Sequence, residues 1–181
     1  MKVIAVPLAE GFEEIEAITI IDVLRRAGFK VLTAGLKGTL VKGAHDVVVE
    51  ADCRLADLRA DQLDAVVLPG GLPGATNLRD DPALLKLVQD VDRRQRHVAA
   101  ICAAPIALQA AGLLKGKNVT SYPGFESQLV GARHTGARVQ VDGRLITGAG
   151  PGTALEFALA LVAELGAKAK ADELRQGMLA R

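Results

Sequence analysis

The chain has 181 residues, half of them apolar and only 3% aromatic, with 22 basic against 21 acidic residues for a formal net charge of +1. That length predicts a single domain, residues 1–181, able to bury roughly 70% of its extended-chain surface without covalent staples. The balanced charge and scarcity of aromatics exclude the basic stripe of a nucleic-acid surface, so no nucleic-acid partner is expected.

Residues 2–8 form a continuous apolar run that reads as a strand rather than a signal peptide, since it is short and no cleavage site follows. Residues 13–27 predict a helix with acidic residues in its first turn and Gly28 as its stop. Residues 29–34 predict a second strand, which makes the opening a βαβ unit. The segment 39–50 alternates around Gly43 and predicts a short hairpin. Residues 64–68 predict a buried strand ending in the turn Pro69-Gly70-Gly71, and Asp81-Pro82 caps a helix to about Gln95.

Residues 97–101 predict another strand, and 102–114 a helix that follows with almost no connection. The mostly apolar stretch 98–114 contains Pro105 and Gln109 and is too short to cross a bilayer, so no membrane association is expected. Residues 118–121 are strand-like, and 138–147 read as two strands hinged at Asp142-Gly143. Thr153 with Glu156 three residues on predicts a capping box and a helix to Leu165. Residues 168–180 predict a polar outer helix. Strands alternating with helices predict an open α/β architecture: a doubly wound, mostly parallel sheet with helices on both faces. In such sheets ligands sit beyond the carboxyl ends of the strands, where Pro69-Gly70-Gly71, Cys102 and residues 148–152 all fall.

Two cysteines, Cys53 and Cys102, make no disulfide framework, and with no secretory signal the expectation is a soluble cytoplasmic protein with reduced thiols. Cys102 lies at a sharp strand-to-helix switch flanked by Ala100, Ala103 and Ala104, the small residues that a tight nucleophile elbow requires. The helix dipole there predicts a lowered thiol pKa. An isolated cysteine is more often a small core residue, and it is the elbow that marks this one as functional.

Glu16 falls on the same helical stripe as Ile20, Val23 and Ala27, which predicts a desolvated carboxyl with a raised pKa. Its plainer reading, shared with Glu13 and Glu14, is a partner for the helix dipole. Gly70 allows close backbone approach, and the N–H groups of Gly71 and Ala103 form a candidate oxyanion pair, with a simple tight turn as the alternative. Tyr122, just past a strand end, reads equally as a crevice residue or a half-buried surface tyrosine. The run Gly148-Ala149-Gly150-Pro151-Gly152-Thr153 lacks both nucleotide-loop spacings and reads as a turn. His45, His97 and His134 share no ligand spacing, so no metal is expected. His97 begins a strand and His134 reads as a solvated loop residue.

Gly11-Phe12-Glu13-Glu14-Ile15-Glu16, Val67-Leu68-Pro69-Gly70-Gly71, Ala99-Ala100-Ile101-Cys102-Ala103-Ala104-Pro105 and Gly150-Pro151-Gly152-Thr153 with Glu156-Phe157-Ala158 resemble, in order, the signature segments of the ThiJ/PfpI superfamily. The likeness is greatest to the branch of the human parkinsonism-associated deglycase and its bacterial relatives. The resemblance implies a flavodoxin-like fold, a homodimer, no cofactor, a nucleophile at Cys102, a protonated partner at Glu16, and amides of Gly71 and Ala103 in the pocket. It implies glyoxalase or deglycase action on reactive carbonyls in stress defence, or else a sensor or chaperone-like role through Cys102 oxidation. Ala103 replaces the histidine of protease-like members, so peptidase activity is not expected. Tyr122 stands where the human branch has histidine, and His45 where an arginine is expected beside the dimer pocket. The same thiol serves the enzyme and the sensor, and sequence leaves both open.

Overall fold

Short aliphatic runs that do not alternate with polar residues belong in a sheet covered on both faces. In the computed structural model, which describes residues 1–180, those runs form its centre. Strands β1 (Val3–Leu8), β2 (Lys30–Gly35), β5 (Cys53–Arg54), β6 (Ala65–Leu68), β7 (His97–Ile101), β10 (Val139–Asp142) and β11 (Leu145–Gly148) make one seven-stranded sheet in the order β10-β11-β7-β6-β1-β2-β5. All pairings are parallel except that of β10 with β11. Every residue of β6 and β11 is buried. Strands β3 (Leu40–Lys42) and β4 (Val48–Glu50) form the antiparallel hairpin expected around Gly43, and β8 (Asn118–Val119) pairs with β9 (Arg133–His134) outside the main sheet.

The helices are α1 (Glu14–Arg26), α2 (Gly74–Arg79), α3 (Pro82–Arg93), α4 (Pro105–Ala110), α5 (Ala154–Val162) and α6 (Lys168–Gly177). They fall into two packed groups, α1 with α5 and α6, and α2 with α3 and α4. Among the described residues no helix is long and apolar enough to cross a membrane. The Asp81 carboxylate caps α3 as expected, accepting from Leu84 N–H at 2.9 Å.

Three expectations are corrected. The helix after β7 does not begin at Cys102, because Cys102 has φ 63° and cannot join a right-handed helix. The helix starts at Pro105, whose missing N–H costs nothing in a first turn, and Gly112 at φ 78° follows its end. The predicted capping box does not form either. The Thr153 hydroxyl accepts from Gly150 N–H at 3.1 Å and donates to Gly150 O at 2.9 Å, while Glu156 pairs with Arg138 at 2.8 Å. Finally, α5 ends at Val162 and passes through a wider turn, residues Ala163–Ala167, in which Gly166 at φ 90° breaks the helix. Helix α2, directly after Gly70-Gly71, carries no apolar periodicity strong enough to have been read from sequence.

Candidate active site

Cys102 sits at the carboxyl end of β7, where its N–H donates to Gly148 O at 2.9 Å and its carbonyl accepts from Tyr122 N–H at 2.9 Å. These bonds on both sides hold the residue in the left-handed region, a conformation costing a non-glycine residue about 1–3 kcal/mol. The result is a true elbow: the side chain leaves the strand axis and is 8% exposed.

Glu16 arrives from the first turn of α1 and is fully buried. Its Oε2 accepts from Gly70 N–H at 2.8 Å, and its Oε1 has no hydrogen-bond partner. Gly70 is required by space, since a Cβ there would lie 2.7 Å from Cys102 Cβ and 2.9 Å from Glu16 Oε2. Gly71 is required by conformation, with φ 87°. The N–H groups of Gly71 and Ala103 both face the Cys102 sulfur. The crevice ends therefore converge as the strand order requires.

The electrostatics depart from the sequence reading at the thiol. Burial pushes the Glu16 carboxyl up to about 7, opposed by the Gly70 N–H and the Cys102 side chain. Burial also pushes the Cys102 thiol up to about 12, reinforced by the Glu16 charge, against the two backbone N–H groups. The expected lowering by the helix dipole fails because α4 is six residues long and starts three residues beyond the sulfur. Thiol and carboxyl form one coupled system whose protons are lost in steps that belong to the pair rather than to either residue. Cys53 is partly buried, donates to Thr33 O at 3.6 Å, and lies in β5, the edge strand four places from β7.

Tyr122 is 47% exposed, and its ring lies against Gly150, where a Cβ would be 3.0 Å from Cδ2. It thus borders the elbow through its backbone and the 148–152 turn through its ring. His45 is not at the thiol. It lies in the β3–β4 hairpin, with Nδ1 2.8 Å from Glu14 Oε2. Glu14 is accordingly an ion-pair partner and not merely a dipole acid. His134 is also not a free solvated side chain: its Nε2 accepts from Ser121 N–H at 3.1 Å and is 3.1 Å from the Ser121 hydroxyl. This bond holds the residue before Tyr122, and the spacing of 13 residues gave no sequence signal for it. Glu13, Glu14 and His45 are the one place among the described residues where three such groups converge, and there they engage one another as ion pairs.

A mostly parallel sheet whose strand ends bring a cysteine elbow against a buried carboxyl and two backbone N–H groups has the architecture of α/β proteins built around a strand-end elbow. The chain belongs to the DJ-1/PfpI family, whose pattern matches residues 2–164. It is 45% identical over 175 residues to Protein dj-1beta of Drosophila melanogaster, covering 95% of this chain and 94% of that one. The crystal structure of Drosophila melanogaster DJ-1beta superposes with a TM-score of 0.95 at 44% identity, over 99% of this chain and 98% of that one. The Caenorhabditis elegans protein named glutathione-independent glyoxalase DJR-1.2 is 35% identical over 167 residues, 91% of this chain and 89% of that one. Protein DJ-1 homolog A of Arabidopsis thaliana is longer: the chain is 41% identical to it over 184 residues, 99% of this chain, but spans only 47% of its length.

Proposed function

We propose that the protein converts small α-oxoaldehydes to hydroxy acids without a cofactor, with Cys102 as nucleophile and Glu16 as the proton carrier. The observation that carries this reading is the fully buried Glu16 carboxyl, held by Gly70 N–H at 2.8 Å and set against the Cys102 elbow, where burial pushes the carboxyl up to about 7. A base of that strength is well matched to neutral pH. The Glu16 carboxylate takes the thiol proton as sulfur bonds to the aldehyde carbon of a compound such as methylglyoxal. The resulting oxyanion faces the N–H groups of Gly71 and Ala103 and then takes the proton back from Glu16. Glu16 next removes the proton on that carbon and returns it to the neighbouring carbonyl carbon, while the hydroxyl proton on the first carbon passes to the oxygen of the second, leaving a thioester beside a hydroxyl. One carbon is thereby oxidised by two electrons and the other reduced by two. Water cleaves the resulting thioester to the hydroxy acid and the free thiol.

The name of the nematode relative supports this chemistry, and the 8% exposure of Cys102 suits a small substrate. The alternative role, sensing of oxidants by Cys102, asks for an accessible thiolate. A shielded thiol that loses its proton only to an adjacent base fits turnover better. The protein is proposed to work as a cytoplasmic homodimer, a reading supported by Ile15 and Ile18 on α1 and Val47 and Val48 at the hairpin, all 44–58% exposed. The test is turnover of methylglyoxal by purified protein, compared with Cys102→Ala and Glu16→Gln. Loss of turnover in both is expected. Retained turnover in Cys102→Ala overturns the reading.

A further inference from the structure

Cys102 is held in its left-handed turn from both sides, by Gly148 O on its N–H and by Tyr122 N–H on its carbonyl. The two supports are also joined to each other, because Thr120 N–H donates to the Thr147 hydroxyl oxygen at 2.9 Å. These three contacts close a circuit, with segment 120–122 on one side, the end of β11 on the other and the elbow between them. Thr120 and Thr147 are fully buried and Ser121 is 2% exposed, so their backbone groups must find partners within the protein.

The middle N–H of the segment, that of Ser121, points out of the circuit and donates to His134 Nε2 at 3.1 Å. That nitrogen has one lone pair, and Ser121 offers it two donors, since the hydroxyl also lies at 3.1 Å. The hydroxyl has a second acceptor in Tyr122 O at 3.2 Å, whereas the N–H has no other among the described residues. The lone pair therefore serves the N–H, which puts the imidazole proton on Nδ1. His134 is itself fixed by β9, where it pairs with Val119 of β8 and the next residue, Thr135, donates its N–H to Val119 O at 2.8 Å.

We propose that His134 is a positioning residue for the Cys102 elbow. Its Nε2 anchors segment 120–122 from outside the circuit, which keeps Tyr122 N–H on the Cys102 carbonyl and the sulfur before the N–H groups of Gly71 and Ala103. The imidazole never touches substrate. Without this acceptor a buried N–H is left unpaired, and the segment must shift to find another partner. The shift passes directly to a residue that keeps φ 63° only because its backbone bonds over-determine it. A displaced sulfur then loses the two N–H groups that favour its thiolate. This rests on the reading of Cys102 as the working thiol, but not on the identity of the substrate.

The experiment measures alkylation of Cys102 and Cys53 by iodoacetamide in the same molecule, by mass spectrometry, in wild type, His134→Gln, His134→Asn and His134→Leu. The glutamine amide reaches the place of Nε2, the asparagine amide stops near that of Nδ1, and leucine has no acceptor. Cys53 is the internal control, because it lies in edge strand β5 and bonds to Thr33 O. Cys102 alkylation relative to Cys53 is expected to fall about tenfold in His134→Leu and His134→Asn, the size of effect of one orphaned buried N–H, and to stay within about twofold of wild type in His134→Gln. A histidine that only stabilised the fold would act through global opening, which speeds both thiols together. An unchanged ratio, a faster Cys102 in His134→Leu, or a His134→Gln protein that behaves as His134→Leu does overturns the proposal. If His134→Leu does not fold, Asn against Gln decides it, since the two differ by one methylene. Alkylation is read without turnover, so a protein inert toward methylglyoxal that shows the expected ratios refutes the proposed reaction and leaves this inference standing.

Discussion

Gly70 N–H donates to Glu16 Oε2 at 2.8 Å across 54 positions of sequence, joining the turn after β6 to the first turn of α1. The same glycine leaves no room for a side chain beside Cys102. One backbone position thus fixes the carboxyl, admits the thiol and sets their separation.

Gly70→Ala should therefore cost about 1–3 kcal/mol of stability through overpacking and slow Cys102 alkylation at the same time. Gly38→Ala is the control, because a Cβ there meets nothing within 4 Å. Denaturant midpoints and alkylation rates for both variants are the measurement. An unchanged Gly70→Ala protein would show that the close packing around this turn is unimportant.

Glu16 should make stability depend on pH in an unusual direction for a carboxyl. Its pKa rises from the ordinary 4.5 to about 7 on folding. Between those values the unfolded chain has released a proton that the folded chain still holds, so rising pH favours unfolding. The contribution is complete below about 4.5 and lost above about 7, and amounts to about 3 kcal/mol at 1.36 kcal/mol per pH unit. Wild type should lose that much stability relative to Glu16→Gln across this window. Parallel stability curves for the two proteins would place the Glu16 proton elsewhere.

The raised thiol pKa makes a kinetic prediction. With Glu16 as the base, methylglyoxal turnover should rise with pH through about 7, following Glu16 rather than a thiol near its reference of ~8.5. Glu16→Gln keeps the hydrogen-bonding shape but accepts no proton, and should lose about 10²–10⁴-fold in kcat. A Glu16→Gln enzyme with near wild-type kcat and an unmoved pH profile would exclude Glu16 as the base.

The proposed dimer is tested on α1. Ile18 is 44% exposed, and Ile15 on the same helix is 58% exposed. Ile18→Asp should leave the monomer folded, since the substituted side chain meets water, and shift sedimentation from dimer to monomer at micromolar concentration. A wild-type chain that already sediments as a monomer refutes the proposal outright.

The architecture was legible because aliphatic strands buried on two faces leave an unmistakable pattern in β1, β6 and β7. Cys102 was legible too, since a cysteine between alanines at a strand-to-helix switch marks a tight elbow. Glu16 could be suspected from its place on an apolar stripe. Sequence patterns alone could not give the state of the thiol: the left-handed turn at Cys102 delays the helix to Pro105, which withdraws the dipole and leaves burial to set the pKa. Nor could they pair His45 with Glu14, 31 positions apart, or His134 with Ser121. Local periodicity and turn chemistry are properties of neighbours in the chain. Charge balance and desolvation depend on which distant groups the fold brings within a few ångströms, and only the tertiary structure decides that.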